Sequence, residues 1–281
     1  MPSDDARPTG LWGRQFEPTY DFTPTPVTTR IAFCTTPRCG SHMLGHRLHA
    51  TGGFGYPLEY LNPGNLRMWM RRAQEGGAAD TLDFIKSVRT GPNGVFAIKL
   101  HFEHLPAFLR EEPDPLSYHY IPLVRRDLVA QAVSFARAQQ TGAWISDMPE
   151  RQPAIYDFDL IHAKARAIGE GNAGWDAYFA GIGASPLRLI YEDVVQDPEA
   201  AVAAICAATG VDLADGTPPE TFTPTRQTKL SASGDWKTRY KEDYRQRVVD
   251  GRLQVAPLAA SPGLRPRFVS WARNKVSEIR R

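Results

Sequence analysis

The chain has 281 residues, of which 42% are hydrophobic and 23% are charged, a composition typical of a folded globular protein. Its 33 basic and 31 acidic side chains leave a net charge of only +2, which argues against a general nucleic-acid binder. Three cysteines without CxxC spacing argue against a disulfide framework and a four-cysteine zinc site. No apolar run approaches the roughly 18 residues of a membrane span, and the N-terminus MPSDDARPTG lacks a signal-peptide pattern, so we expect a cytoplasmic protein.

Short apolar segments alternate with helical patterns along the chain. RIAFC (30–34), GVFAIKL (94–100) and HYIPLV (119–124) predict buried strands, and LRLIYEDV (187–194) predicts a fourth. This alternation indicates an α/β fold with a parallel sheet and helices on both faces. Helices are predicted over 42–52, around 80–89, after an N-cap at Asp127, over 198–209 and from near Trp236.

Composition divides the chain into three regions. Residues 1–29, rich in Pro, Thr and Asp, predict an N-terminal arm or flexible tail. Residues 30–250 form the expected domain, with elaborations over 145–185, and 251–281 form a basic C-terminal extension with a helix. The basic helix indicates either a peripheral contact with an anionic membrane or, as is more common for such helices, packing against its own domain or a partner subunit.

The first strand leads into a glycine-containing turn that opens a helix. The segment TTPRCGS (35–41) places Arg38, Gly40 and Ser41 where backbone N–H groups and the positive end of a helix converge. This arrangement suits a phosphate or sulfate group, although a turn without a ligand remains an alternative. No G-x4-G-K-[ST] sequence is present, which argues against phosphoryl transfer from ATP.

The same turn resembles the 5′-phosphosulfate loop of bacterial carbohydrate sulfotransferases, the family typified by trehalose 2-sulfotransferase. Cys39 stands there in a serine position and His42 in a threonine position. Four later segments resemble the family in the same order: YPLEYLNP (56–63), GVFAIKLHF (94–102), LVRRDLVAQAVSFARAQQTGAW (123–144) and SGDWKTRY (233–240).

The resemblance implies a P-loop-kinase-like sulfotransferase fold. The expected donor is 3′-phosphoadenosine 5′-phosphosulfate (PAPS), and the expected product is the desulfated nucleotide PAP. The expected acceptor is a hydroxyl of a carbohydrate or glycolipid. The resemblance also implies a homodimer, with no metal ion and no nucleic-acid partner.

Individual residues take their expected roles from this resemblance. Arg38 should stabilise the charge on the departing bridging oxygen, and Glu59 should act as the base, with His101 in reserve. Arg125 should hold the 3′-phosphate together with Ser134, although the spacing leaves Arg126 open. The other expected donor contacts are Cys39, Gly40, Ser41, His42 and Lys229, with Trp236 near the adenine, and the expected acceptor contacts are Lys99, Arg137 and Trp144.

Two other functions compete with this interpretation. Asp157-Phe158-Asp159 reads as the DxD of metal-dependent glycosyltransferases, although acidic residues commonly begin helices. A non-catalytic PAPS or nucleotide binder is the second alternative, and the combination of Arg38 with Glu59 argues against it, because a binder needs no base.

Two further patterns in the first predicted helix are weighed against ordinary structural roles. His42, His46 and His49 share a helical spacing, but no H-E-x-x-H zinc pattern accompanies them. Cys39, at the helix N-terminus, is a candidate reactive thiol with a lowered pKa.

Overall fold

Four parallel strands form the sheet, in the order β2-β1-β3-β4. The computed structural model of the chain describes residues 15–145, 148–215 and 233–253. The strands are β1 (Thr29–Thr35), β2 (Val95–His101), β3 (Tyr118–Val124) and β4 (Leu189–Ile190). The helices are α1 (Ser41–Ala50), α2 (Pro63–Glu75), α3 (Thr81–Arg89), α4 (Leu105–Glu111), α5 (Leu128–Thr141), α6 (Phe158–Gly181), α7 (Tyr191–Gln196), α8 (Pro198–Thr209) and α9 (Ser233–Val249).

Alternate residues of the central strand β1 pack on opposite faces of the sheet. Ile31 and Phe33 belong to a buried cluster completed by α1, α7 and α8, whereas Ala32 and Cys34 belong to a second cluster completed by α2, α3, α4 and α6. Because side chains alternate along a strand, helices therefore cover both faces. The predicted parallel α/β fold with helices on both faces is confirmed.

Three elements differ from the prediction. β4 is restricted to Leu189–Ile190, because the chain turns into α7 at Tyr191. Helix α2 was not predicted, and Asn62 caps it by accepting a hydrogen bond from the Gly64 N–H at 3.0 Å. The 24-residue helix α6 fills much of the region that was predicted only as an elaboration.

The chain clusters into two compact units, one ending at Glu242 and a smaller one beginning at Asp243. All the residues of the site described below belong to the first unit. Among the described helices, none has the length and apolar character that crossing a bilayer requires.

Candidate active site

A cavity of about 570 Å³ opens at the carboxyl edge of the sheet. This is the edge at which open α/β sheets bind their ligands. Residues that follow all four strands contribute to its wall. They include Pro37, Arg38, Gly40, Ser41 and His42 after β1, Glu103 after β2, Arg125 after β3 and Tyr191 after β4.

The turn between β1 and α1 has a backbone that favours glycine. Gly40 caps α1 with a φ of 95°, and a Cβ at this position would lie 2.2 Å from a ring carbon of Tyr191. Arg38, two residues earlier, also has a positive φ, 67°. Such backbone geometry is sterically costly for residues with a side chain, so it marks a turn that the surrounding structure holds in place.

A fully buried amide side chain supports this turn from α5. The Nε2 group of Gln131 donates to Thr36 Oγ1 at 3.0 Å and to the Pro37 carbonyl at 2.8 Å. Thr36 in turn donates to Asn172 Oδ1 of α6 at 3.3 Å. The turn is therefore fixed from two helices.

Arg38 reaches across the cavity to α5 and the loop that follows it. Its Nε donates to Ser134 Oγ at 3.1 Å, and its Nη1 donates to the backbone carbonyl of Trp144. Burial lowers the pKa of the Arg38 guanidinium, and the nearby cation Arg125 lowers it further. Arg38, Ser134 and Arg125, singled out from the sequence, thus lie in one cavity.

The two adjacent arginines after β3 have different surroundings. The Arg125 guanidinium lies 4.7 Å from the ring centroid of Tyr191, and its Nε is 3.8 Å from Glu192 Oε1. Arg126 Nη2 instead contacts both carboxylate oxygens of Asp193 at 2.6 Å, and 58% of its side chain is exposed. Arg125 lines the cavity, and Arg126 is not among the described residues that do so.

Glu59 is brought to the cavity by a strand-like contact. The Leu58 carbonyl accepts a hydrogen bond from the Lys99 N–H at 2.9 Å, and Leu58 forms a parallel bridge with Ile98 of β2. The carboxylate then has two neighbours on the same oxygen: Lys99 Nζ lies 2.9 Å and His101 Nε2 lies 3.1 Å from Glu59 Oε1. Burial alone would raise the pKa of Glu59, but His101 and Lys99 together hold it well below its ordinary value.

The two histidines of this region have buried polar partners. His101 Nδ1 is 2.7 Å from Thr35 Oγ1, which fixes the ring at the end of β2. His42 Nε2 is 3.0 Å from His46 Nε2, one helical turn along α1. Burial lowers the pKa of His42 well below its ordinary value, and the neighbouring His46 lowers it further. His42 is therefore neutral at physiological pH.

Apolar side chains also line the cavity. The Trp144 side chain is 42% exposed, and its ring lies 6.0 Å from the Phe135 ring of α5. An exposed tryptophan beside a polar cluster is a surface on which a sugar ring can stack. Other apolar residues of the lining are Leu58, Met43, Ile145 and Met148.

Several sequence-predicted residues lie elsewhere. Arg137 is not among the described residues that line the cavity: its guanidinium stacks 5.4 Å from the Trp236 ring and lies 3.6 Å from Glu150. Trp236 itself is buried and also packs against Tyr156. The contact between Arg137 and Trp236 joins the first turn of α9 to α5. Lys229 lies outside the described residues.

The reactive-thiol hypothesis for Cys39 is wrong. Its side chain is completely buried in the cluster that contains Leu44 and Phe54. Burial raises the pKa of this thiol above its ordinary value, although hydrogen bonds from Ser41 oppose the shift. Cys39 can therefore offer a ligand only its backbone.

The DxD segment has a structural role. Asp157 caps α6 by accepting a hydrogen bond from the Leu160 N–H at 2.9 Å. Neither Asp157 nor Asp159 is among the described residues that line the cavity.

Two functional contributors were missed from the sequence. Tyr191 was assigned to the fourth strand, although it begins α7 and packs against Gly40 and Arg125. No sequence pattern around Gln131 indicates its role, because that role depends on hydrogen bonds to a turn that is distant in the sequence. The pairing of Glu192 and Asp193 with the arginines was equally invisible in a local pattern.

Comparison with known proteins identifies the family. Residues 31–243 match the family model described as Stf0 sulphotransferase. The chain is 27% identical over 252 residues to trehalose 2-sulfotransferase of Mycobacterium tuberculosis (strain ATCC 35801 / TMC 107 / Erdman), in a match covering 74% of this chain and 92% of the relative. It is 25% identical over 253 residues to trehalose 2-sulfotransferase of Mycolicibacterium smegmatis (strain ATCC 700084 / mc(2)155), covering 73% and 92%.

Similar solved structures include the sulfotransferase domain from the Synechococcus PCC 7002 olefin synthase, with 17% identity and a TM-score of 0.43 over 80% of this chain and 98% of that one. A sulfotransferase from Alicyclobacillus acidocaldarius has 12% identity and a TM-score of 0.42 over 81% and 98%. The family match spans most of the chain and confirms the resemblance seen in its motifs. The chain therefore belongs to the Stf0 sulphotransferase family of sulfotransferase enzymes.

Proposed function

We propose that this chain transfers the sulfuryl group of PAPS, in line and without a metal ion, to a hydroxyl of a carbohydrate or glycolipid. The observation that carries the proposal is that one cavity contains both Arg38, at the glycine turn, and Glu59, a carboxylate held beside it by Lys99 and His101. A sulfuryl transfer needs such a pair, a fixed cation for the departing oxygen and an acceptor for the proton. The similarity to two trehalose 2-sulfotransferases supports a carbohydrate acceptor.

The donor end of the cavity suits a molecule with several negative charges. Arg38 and Arg125 lie close enough for their positive charges to repel each other. An anion bound between them would relieve this repulsion. We assign the 5′-phosphosulfate to Arg38 and the backbone of the turn at Gly40, Ser41 and His42, and the 3′-phosphate to Arg125 with Ser134. A guanidinium group can bind two oxygens of one phosphate through parallel N–H donors. This geometry favours specific binding of phosphate groups over a general attraction for anions.

The proposed transfer exchanges one oxygen–sulfur bond for another. The acceptor oxygen forms a bond to sulfur, and the bond between sulfur and the bridging oxygen breaks with its electron pair going to that oxygen, which leaves on PAP. Arg38 is placed to stabilise the negative charge that develops there. Burial lowers the pKa of Arg38, but an arginine starts so high that it remains a cation at neutral pH.

Glu59 receives the proton of the acceptor hydroxyl in this proposal. The ion pairs with Lys99 Nζ and His101 Nε2 both involve Oε1, so we assign the proton of the substrate hydroxyl to Oε2. A carboxylate with a lowered pKa is a weak base. It suffices if the proton moves late, because the hydroxyl becomes strongly acidic as its oxygen bonds to sulfur.

The acceptor end of the cavity contains both an apolar surface and a charged group that can contact a sugar. The exposed ring of Trp144 supplies an apolar platform, and Lys99, beside Glu59, supplies a fixed charge near the reacting hydroxyl. Arg137 has no part in this proposal, because it packs beneath Trp236. The cytoplasmic location, the homodimer and a membrane contact of the C-terminal extension stay predictions from the sequence and the resemblance. Residues 254–281 of that extension lie outside the described part of the chain.

Calorimetric titration of the purified protein with PAP, beside ATP and a nucleotide sugar with added metal, tests the donor. Selective binding of PAP without metal supports the proposal, and binding of a nucleotide sugar only with metal would contradict it. Transfer from PAPS is then measured with trehalose, lipopolysaccharide sugars and other glycans.

A pair of variants tests the base. We expect Glu59→Gln to lower kcat by about 10²- to 10⁴-fold while PAP binding changes by less than about twofold. Glu170→Gln, on the exposed surface of α6, is the matched control and should keep full activity. Equal activity in Glu59→Gln and the wild type would remove Glu59 from the reaction.

A further inference from the structure

The segment before β1 forms part of the cavity wall. Gln15 lines the cavity with only 8% of its surface exposed. The next residue, Phe16, is buried, and its ring lies 5.8 Å from the ring of Trp69 in α2. The sequence predicted an N-terminal arm or a flexible tail over 1–29. In the described part of this segment, 15–28, which we call the arm, Gln15 and Phe16 are buried and most of the other residues are exposed or half-buried.

The arm meets the cavity at the end that carries Glu59. Asn65 lies one turn before Trp69 on the same face of α2, and its Nδ2 donates to the Glu59 carbonyl at 2.7 Å. Gln15 and Asn65 both line the cavity. Arg125, by contrast, follows β3, which the central strand β1 separates from the β2 edge beside Glu59.

A fully buried arginine holds the arm in this place. Arg89 Nη2 donates to the Gln15 carbonyl at 2.7 Å, and its Nη1 donates to the Tyr20 carbonyl. Asp21 accepts from Arg72 at 2.5 and 3.2 Å and lies 3.3 Å from Arg89 Nη2. A buried cation is costly when its donors lack partners, and the two carbonyls of the arm and Asp21 supply partners for the Nη groups of Arg89. Arg89 therefore holds the arm in place.

We propose that the N-terminal arm is an acceptor-specificity element, in which Arg89 and Asp21 position Gln15 against the acceptor sugar. The inference rests on the proposed function. A glutamine amide both donates and accepts hydrogen bonds, which suits the vicinal hydroxyls of a sugar. Gln15 is therefore a substrate-contacting residue, and Arg89 and Asp21 are positioning residues.

Steady-state kinetics separate the two ends of the cavity. The probe is trehalose, or whichever tested glycan the wild type sulfates best. We expect Gln15→Ala to raise KM for the acceptor by about fivefold or more, with KM for PAPS changed by less than about twofold. Asp21→Asn should act in the same direction. Asp83→Asn, a matched change on the exposed surface of α3, should leave both constants unaltered.

A purely structural role would not raise KM for the acceptor while leaving KM for PAPS unchanged. A loss of stability alone would lower the amount of active enzyme and leave both KM values unchanged. Equal rises in KM for PAPS and for the acceptor, or no rise for the acceptor, would overturn the proposal. If the wild type sulfates no glycan at all, it is the proposed function that fails.

A second measurement needs no turnover. Gln15→Cys, in a Cys206→Ala background, is labelled with a maleimide in the presence of PAP, with and without saturating trehalose. The other two cysteines, Cys34 and Cys39, are buried. We expect trehalose to slow labelling at residue 15 and to leave a matched cysteine at the exposed Thr23 position (Thr23→Cys) unaffected. Equal labelling with and without the sugar would contradict the contact.

Discussion

The indole Nε1 of Trp175 donates a hydrogen bond to the backbone carbonyl of Thr35 at 3.0 Å. Thr35 is the last residue of β1, so this bond ties α6 to the point where the glycine turn begins. Small residues let the helix come this close: a Cβ on Gly171 would lie 2.8 Å from Thr36 Cγ2, and a Cβ on Gly174 would overlap the Phe102 ring at 2.3 Å. Helix α6 is thus a support for the donor end of the cavity.

Replacing Trp175 with phenylalanine removes this bond and keeps an aromatic ring in the core. We expect Trp175→Phe to lower the free energy of unfolding by about 1–3 kcal/mol, because a buried carbonyl loses its donor. Urea unfolding followed by circular dichroism measures the loss. Trp236→Phe makes the same side-chain change away from β1 and should cost less; equal losses would show that ring volume, rather than the hydrogen bond, decides the effect.

The local elements could be predicted from the sequence, and their long-range partners could not. The apolar segments of β1, β2 and β3 lie within a residue or two of the observed strands, since a buried strand carries its own signal. In contrast, β4 has only two residues, because Tyr191 turns into α7 and packs on Gly40. That turn depends on a glycine about 150 residues away in the chain, which no local pattern contains.

The same limit applies to the site. Family resemblance led to Glu59 and Lys99, but only the bridge between Leu58 and Ile98 brings the two side chains together. The choice between Arg125 and Arg126 likewise depends on Asp193, which engages Arg126 from the start of α7. Pairings of this kind arise from tertiary packing, so a sequence pattern can propose the residues without their partners.

Gly40→Ala should abolish most donor binding. The added Cβ would meet the Tyr191 ring at 2.2 Å in a backbone conformation with φ of 95° that disfavours alanine. We expect PAP affinity to fall by about tenfold or more, measured by calorimetry. Gly183→Ala is the matched control, since Gly183 also has a positive φ, 69°, but its Cβ would meet nothing within 4 Å.

A double variant sharpens this test. Removing the ring in Gly40→Ala/Tyr191→Ala should restore part of the binding lost in Gly40→Ala, because the steric overlap is relieved while the backbone strain persists. A double variant that binds PAP no better than Gly40→Ala would show that backbone strain dominates.

Arg125→Ala and Arg126→Ala should differ in their effect on the nucleotide. Arg125 lines the cavity, whereas Arg126 is held by Asp193 and is mostly exposed. We therefore expect PAP affinity to fall by about tenfold or more in Arg125→Ala and by less than about threefold in Arg126→Ala. Titration with 5′-AMP, which lacks the 3′-phosphate, should erase the difference between the variants. A larger loss in Arg126→Ala would reverse the assignment of the 3′-phosphate.

The pH dependence of turnover should report the pair that Glu59 makes with Lys99. His101 and Lys99 hold the pKa of Glu59 well below its ordinary value, so its carboxylate remains ionised as the pH falls through about 4.3. The stabilisation from this carboxylate is likewise present above the unfolded-state pKa and is lost only as the pH falls through the lower folded-state value. We expect the acid limb of kcat/KM to lie correspondingly low.

Lys99→Met removes one of the two groups that stabilise the charged carboxylate, while burial continues to oppose ionisation. The acid limb of kcat/KM should therefore move to higher pH, whatever happens to the maximal rate. Lys86→Met is the matched control, because Lys86 also forms a buried pair, with Glu112 at 2.8 Å, but lines no part of the described cavity. It should reduce stability without moving the limb. An acid limb in Lys99→Met at the wild-type position would mean that Glu59 is not the group that accepts the proton.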